Sequence, residues 1–227
     1  MRNRQLLETE FDISVPDLLS FRQAAKMHVY ASQKLPPRRR EQLRIQSLPE
    51  FYLDYEAQIY ALADSISTTA AICSNELLFS LKEDAICRLK HALSPVFSSF
   101  QVILYLRRQD LRATGAYLQS FKGGYDQITA YKSVLKRRNL GDLAVIEAWS
   151  DTFGSKNVKV FLYDDVMREE KDIIGHFMRA IGIGDLSSFS AANRSNVSWG
   201  LHQAYASRVI REGCKDASNK SVRAFVE

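Results

Sequence analysis

Glycine is missing from the first half of this chain: the first of its ten glycines is Gly115. A glycine-rich turn that cradles phosphate with backbone N–H groups therefore has no place before that residue. Cysteine is nearly as scarce. Cys73, Cys87 and Cys214 are odd in number and have neither CxxC spacing nor histidines in metal-site order. That pattern excludes a disulfide-built scaffold and a structural zinc, and it fits reduced thiols. No HExxH, GxSxG or Walker lysine motif occurs, and His28, His91, His176 and His202 are scattered, which leaves metalloprotease, nucleophile-elbow and Walker-type chemistry without a trace. No run reaches the roughly 18 apolar residues of a membrane span. The opening MRNRQLLETEFDI lacks the apolar stretch of a secretory signal, so a cytoplasmic location with no membrane partner is the expectation.

What is present is ordinary globular material. The chain has 227 residues, 46% hydrophobic and 25% charged, enough for one domain with a sizeable core. Its net charge of +5 and pI near 9.1 favour an anionic partner. Basic residues cluster at Arg38–Arg40, Arg107–Arg108 and Lys136–Arg138. Nucleic acid is one candidate, although no recognition motif or stacking aromatic series accompanies them, and a nucleotide carrying several phosphates suits them as well. Solvated loop charge is the simplest account of Arg38–Arg40, because Pro36 and Pro37 are expected to end a helix and open a loop there.

The chain is organised around FQVILYLRRQDLRATGAYLQSFKGG, residues 100–124. Val102–Leu106 is a short apolar block rich in β-formers, as expected of a strand buried on both faces of a parallel sheet. Arg107 and Arg108 then fall at its carboxyl end, the edge where open α/β sheets bind ligands. Asp110 is expected to cap a following helix in which Ala113, Ala116, Tyr117 and Ser120 recur at helical spacing. Strand, basic corner and helix read together as an anion site; the alternative is that the arginines cap the sheet and pair with local carboxylates.

Arg107-Arg108-Gln109-Asp110, followed by Tyr117, Gln119, Lys122 and Gly123, resembles the "YLRRQD…Y.Q..K.G" segment of bacterial sulfotransferase-like proteins. In that family the strand-end arginine and a serine eight positions later grip the 3′-phosphate of 3′-phosphoadenylyl sulfate. The resemblance places Arg107 on that phosphate. The serine position falls on Gly115, which has no hydroxyl, leaving neighbouring Thr114 and Lys122 as substitutes. It also implies a three-layer α/β/α fold with a mostly parallel central sheet, similar to P-loop NTPases, and matches Glu76 to a strand-end residue that serves related enzymes as the base. Glu76 as a solvated or capping carboxylate is the competing reading. The implied ligands are 3′-phosphoadenylyl sulfate or its product, adenosine 3′,5′-bisphosphate, with a carbohydrate or small-molecule acceptor. The family's KTGTT-type loop, whose backbone and lysine hold the 5′-phosphosulfate, has no counterpart in this sequence, and an N-terminally shortened domain is the expectation.

Taken in order, residues 5–60 read as helical, with Leu18, Leu19, Phe21, Ala25, Met27, Val29 and Tyr30 supplying one apolar stripe and Phe51, Tyr52, Tyr55, Ile59, Tyr60 and Leu62 a second. Residues 69–74 read as a short buried strand, Glu83–Leu93 and Tyr125–Arg138 as helical, and residues 143–153 as a helix with Leu143, Ile146, Trp149 and Phe153 on one side, stopped by Gly154. Residues 157–163 read as a strand, Asp164-Asp165 as a helix start, and residues 172–181 as an amphipathic helix ending at Gly182. Asn193–Ser198 resembles the family's "N.S" region ahead of a last helix, Trp199–Arg211. Alternating strands and helices argue for a parallel sheet covered by helices. The expected organisation is a single domain over 1–227: a helical part (1–68), a sheet-containing core (69–211) and a tail (212–227). The functional expectation is sulfuryl transfer to a hydroxyl or amine. A noncatalytic nucleotide-binding or assembly protein on the same fold is the alternative, and oligomeric state leaves no signature.

Overall fold

The computed structural model describes residues 2–20, 23–122, 142–190, 201–214 and 221–222. In chain order the elements are α1 (Arg2–Glu10), β1 (Ile13–Ser14), α2 (Ala24–Ser32), α3 (Pro37–Leu43), α4 (Leu48–Ser65), β2 (Ala70–Ala71), α5 (Glu83–Leu93), β3 (Val102–Leu106) and α6 (Gln109–Lys122). After these come α7 (Asp142–Phe153), β4 (Val158–Leu162), α8 (Tyr163–Glu169), α9 (Ile173–Ala180) and α10 (Leu201–Gly213). The architecture is helix-rich α/β. Among the described residues its β-structure is two two-stranded sheets, β1 with β2 and β3 with β4.

The chain forms two compact units interleaved in sequence. The first comprises Met1–Tyr105, Asp142–Phe161 and Asp172–Ser190; the second comprises Leu106–Gly141, Leu162–Lys171 and Ala191–Glu227. In the first unit, α5 packs against α2, α4 and α7 around a core that includes Met27, Tyr55, Ile59, Ile86, Leu89 and Trp149. Local sequence sets these helices. Ser47 accepts a hydrogen bond from the Glu50 N–H at 3.5 Å, with Pro49 in the first turn, the start of a capping box. Glu83 and Asp84 sit in the first turn of α5, and Lys90 and His91 in its last, each favoured by the helix dipole. A second cluster of Leu7, Met178 and Ile183 joins α1 to α9. In the second unit α6 packs on α10, with Phe121 and Ala204 buried and Tyr117 and Leu118 beside them.

Several expectations are met at the level of elements. Helix α5 and strand β3 fall where the pattern placed them, Gly154 ends the turn after α7 with φ +87° and Gly182 comes after α9 with φ +98°. Asp172 caps α9, its carboxylate accepting from the Ile174 N–H at 3.1 Å. Others need correction. The strand expected over residues 69–74 contracts to Ala70–Ala71 and is not buried. The Thr68 hydroxyl donates to the Ala70 carbonyl at 2.9 Å, a local side-chain bond of the kind that competes with a ladder. Strand β3 is not buried on both faces. Leu104 and Leu106 are buried, while Ile103 and Tyr105 on the other side are half-buried, as expected of a sheet only two strands wide.

Pro37 does not open a loop; it takes the first position of α3, with no N–H to leave unsatisfied. Leu143 lies 67% exposed, off the face that buries Trp149 and Phe153. Phe21, the Tyr125–Arg138 region with its basic cluster, the Asn193–Ser198 region and Trp199 lie outside the described residues.

Two substitutions test the first unit's core by thermal or denaturant unfolding. Ile86 is fully buried, and Ile86→Ala should cost about 2–5 kcal/mol. The Tyr55 hydroxyl is buried and, among the described residues, has no hydrogen-bond partner, so Tyr55→Phe should be neutral or stabilising by up to about 1 kcal/mol. A loss of stability in the second variant would show that the hydroxyl contributes a bond.

Candidate functional site

The basic corner lies just beyond the paired strands β3 and β4. Arg107 directly follows β3, Asp164 stands in the first turn of α8 just after β4, and the two meet: Arg107 Nε lies 3.7 Å from Asp164 Oδ1. The two strands therefore run out side by side. The other carboxylate oxygen of Asp164 accepts the Arg108 backbone N–H at 2.8 Å, and the Arg108 carbonyl accepts the Arg112 N–H as α6 begins. One carboxylate thus ties the start of α8 to the start of α6. The Arg107 guanidinium also stands 5.7 Å from the centre of the Tyr163 ring, within cation–π reach. Its side chain is 44% exposed against 20% for Asp164, leaving donors open to solvent.

Gly115 completes the corner. A Cβ placed on it would lie 3.5 Å from Arg107 Nη1, so the position eight residues past the strand-end arginine faces that arginine. A glycine inside a helix costs roughly 0.5–1 kcal/mol relative to alanine. Here its missing side chain leaves room directly beside the guanidinium. Thr114 is exposed and its hydroxyl donates to the Asp110 carbonyl at 2.9 Å, an internal helix bond. Lys122 is the last residue of α6; its side chain is not among the described ones.

Arg108 turns elsewhere. Its Nε and Nη2 grip both oxygens of Asp110, at 3.2 and 2.8 Å, and the pair is exposed, so it adds little stability. Asp110 therefore sits in the first turn of α6 rather than ahead of it. The Leu111 backbone N–H, and after it Arg108, hold the Asp110 carboxyl below the usual aspartate range.

Glu76 belongs to the first unit, whereas Arg107, Thr114 and Gly115 belong to the second. It is exposed at the start of a 3-10 turn, Glu76–Ser80, that Asn75 caps by accepting the Leu77 N–H at 2.9 Å. Asp164 and Tyr163 are the participants that sequence reasoning missed. Their signal was the acidic pair directly after a second strand, read as a helix start and not as the partner of the arginine at the end of the first.

The remaining sequence candidates are structural. The Tyr105 hydroxyl and His176 Nδ1 are 2.7 Å apart, and both rings pack on Phe161. All three cysteines are free. The Cys73 residue is exposed, but its sulfur turns inward, 3.7 Å from Met27 Sδ, and burial pushes its thiol up to about 12, far from a reactive thiolate. Among the described residues no group of histidine, cysteine or carboxylate side chains is arranged to hold a metal, and no helix is long and apolar enough to cross a membrane. No protein family, curated protein or solved structure matches this chain.

The Asp110 geometry gives a direct check. Its carboxyl should titrate below an ordinary aspartate in a pH series followed by NMR, and Arg108→Ala should raise the midpoint. A folded-state value lowered in this way contributes stability above the unfolded pKa and loses it as pH falls through the folded one. An unshifted midpoint in the parent would contradict the Arg108–Asp110 contact.

Proposed function

We propose that the chain is a sulfotransferase-like protein that binds 3′-phosphoadenylyl sulfate through the corner at Arg107. The sulfuryl group passes to a hydroxyl or amine of a carbohydrate or small-molecule acceptor. The single observation that carries the reading is the approach of Gly115 to Arg107 Nη1. The residue pair that the resemblance assigns to the 3′-phosphate is a facing pair here, with space where the serine side chain would stand. Arg107 supplies a partly exposed planar fork suited to a phosphomonoester, and Asp164 and Tyr163 hold the fork in place. The three-layer arrangement of a sulfotransferase belongs to this proposal.

The bound donor supplies the activated sulfuryl group; the residues present fit its 3′-phosphate end. Arg107 binds and orients that phosphate, and an anion arriving there exchanges with the Asp164 carboxylate. Thr114 is held by its bond to Asp110, so the arginine acts beside a bare helix face. Glu76 is the residue assigned to take the acceptor's proton. The absence of any glycine before Gly115 favours a second reading, in which the corner retains the nucleotide without transferring sulfate.

Calorimetry with adenosine 3′,5′-bisphosphate tests the site. Arg107→Ala should weaken binding by about tenfold to a hundredfold, as expected for lost charge-assisted bonds. Gly115→Ser sets its Cβ at ordinary van der Waals distance, 3.5 Å, from the guanidinium, restores the hydroxyl that the resemblance expects, and should tighten binding by about two- to tenfold. Equal affinity in all three proteins would remove the assignment. Incubation with labelled donor and a panel of sugar acceptors separates the two readings. Transfer that is lost in Glu76→Gln supports the first, and its absence from the parent supports the second.

A further inference from the structure

Helices α2, α4 and α5 of the first unit wall a cavity of about 350 Å³ that the basic corner leaves unused. Tyr30 comes from α2, Tyr52 and Glu56 from α4, and Arg88 from α5. The four-residue spacing puts Tyr52 and Glu56 on one face of α4, and the packing of α5 against α2 and α4 brings Arg88 to the same cavity. Both charges in the wall are held by hydrogen bonds. One oxygen of Glu56 accepts the Tyr30 hydroxyl at 2.7 Å, a donor that burial, and after it Glu56, keeps protonated. Arg88 donates from Nε to the Ala31 carbonyl at 2.8 Å, in the last turn of α2, and from Nη2 to Asp84 at 2.9 Å.

These two charges do not pair with each other. Among the described residues Glu56 has no ion pair, and that of Arg88 is with Asp84, one turn away on α5 and 67% exposed. Solvent screens such a pair, so it competes weakly for the guanidinium. Left over are the second oxygen of Glu56 as an acceptor and Nη1 of Arg88 as a donor. The Tyr30 and Tyr52 rings, with centroids 6.2 Å apart and planes inclined at 73°, add aromatic surface able to take an alkylammonium group.

An occupant of this cavity displaces water from an acid and a base at once, which costs free energy unless both are paired. A neutral molecule would leave each charge without a counterpart, an anion would oppose Glu56, and a cation would oppose Arg88. A ligand carrying both signs matches the wall. Its positive end has to donate, because what Glu56 leaves open is an acceptor; a primary ammonium has N–H donors to give and a quaternary one has none. At the negative end, one open guanidinium nitrogen suits a carboxylate, whose single charge balances the ammonium. An α-amino acid carries those two groups on one carbon, and the volume leaves room for its side chain.

We propose that this cavity binds a free α-amino acid, with its ammonium on Glu56 and the tyrosine rings and its carboxylate on Arg88. All four residues belong to the first unit, so the site stands independently of the reading of Arg107.

The test titrates the full chain calorimetrically with the proteinogenic α-amino acids. The tightest binder is then compared with the two analogues that each lack one charge, which for phenylalanine are phenethylamine and 3-phenylpropionate. The amino acid should bind saturably and about tenfold to a hundredfold tighter than either analogue, as expected for a lost charge-assisted bond. That comparison uses the parent chain alone and needs no variant to fold. Glu56→Gln should weaken the amino acid and the amine about tenfold and leave the acid unweakened. Arg88→Gln should weaken the amino acid and the acid and leave the amine unweakened.

The proposal is overturned if none of the amino acids binds. It is also overturned if the amine binds as tightly as the amino acid, which marks a plain cation site, or if the acid does, which marks a plain anion site. A folded Glu56→Gln protein that loses affinity for all three ligands alike overturns the placement of the ammonium on Glu56, and the proposal with it.

Discussion

One carboxylate holds the second unit's functional end together. Asp164 takes the guanidinium of Arg107 on one oxygen and the Arg108 N–H on the other, joining the residue past β3 to the helix past β4. The bond to a backbone N–H fixes where α6 begins, and the start of α6 fixes where Gly115 lies. A guanidinium left to itself at a strand end would sweep a wide volume. Here it is flanked by a carboxylate, an aromatic ring and a bare stretch of helix. The arrangement is poised rather than closed, because the pair is partly exposed and at 3.7 Å is looser than a bidentate clamp. In the proposed reading, an incoming phosphate competes for a cation that is already oriented.

Much of this was legible in the chain. The VILYL block followed by two arginines gave strand, edge and charge together, while position 115 was singled out by the resemblance and not by composition or spacing; a Cβ there would lie 3.5 Å from Arg107 Nη1. The helices at Glu83–Leu93 and ahead of Gly182 also read correctly, because an amphipathic pattern and its stop depend on a few neighbouring residues. Long-range choices were hidden. Asp164 is 57 positions from Arg107 and carried the ordinary marks of a helix start, so its partner emerged only when the strands were paired. Burial of β3 was overestimated because an apolar run records what a strand could bury, while the number of neighbouring strands decides what it does bury.

The N-terminal half shows the same distinction. Pro36-Pro37 has one sequence meaning, a stop, and a second that depends on the residues after it. With Pro37 at the first helical position the three arginines become a presented helix, and charge that looked like loop solvation becomes a localised surface. The Thr69–Ser74 segment failed as a buried strand for a local reason, the Thr68 hydroxyl on the Ala70 carbonyl, and for a global one, since β1 offers it only two residues of partner. Glu76 remains an exposed carboxylate at a turn, and its chemistry rests on the resemblance alone.

The central claim is that the space beside Gly115 receives a nucleotide's phosphate on Arg107. A crystal structure of the chain with adenosine 3′,5′-bisphosphate measures this most directly. The account predicts the 3′-phosphate within hydrogen-bond distance of the Arg107 guanidinium and against the bare face of α6 at Gly115. A nucleotide bound elsewhere, with Arg107 still resting on Asp164, would contradict it.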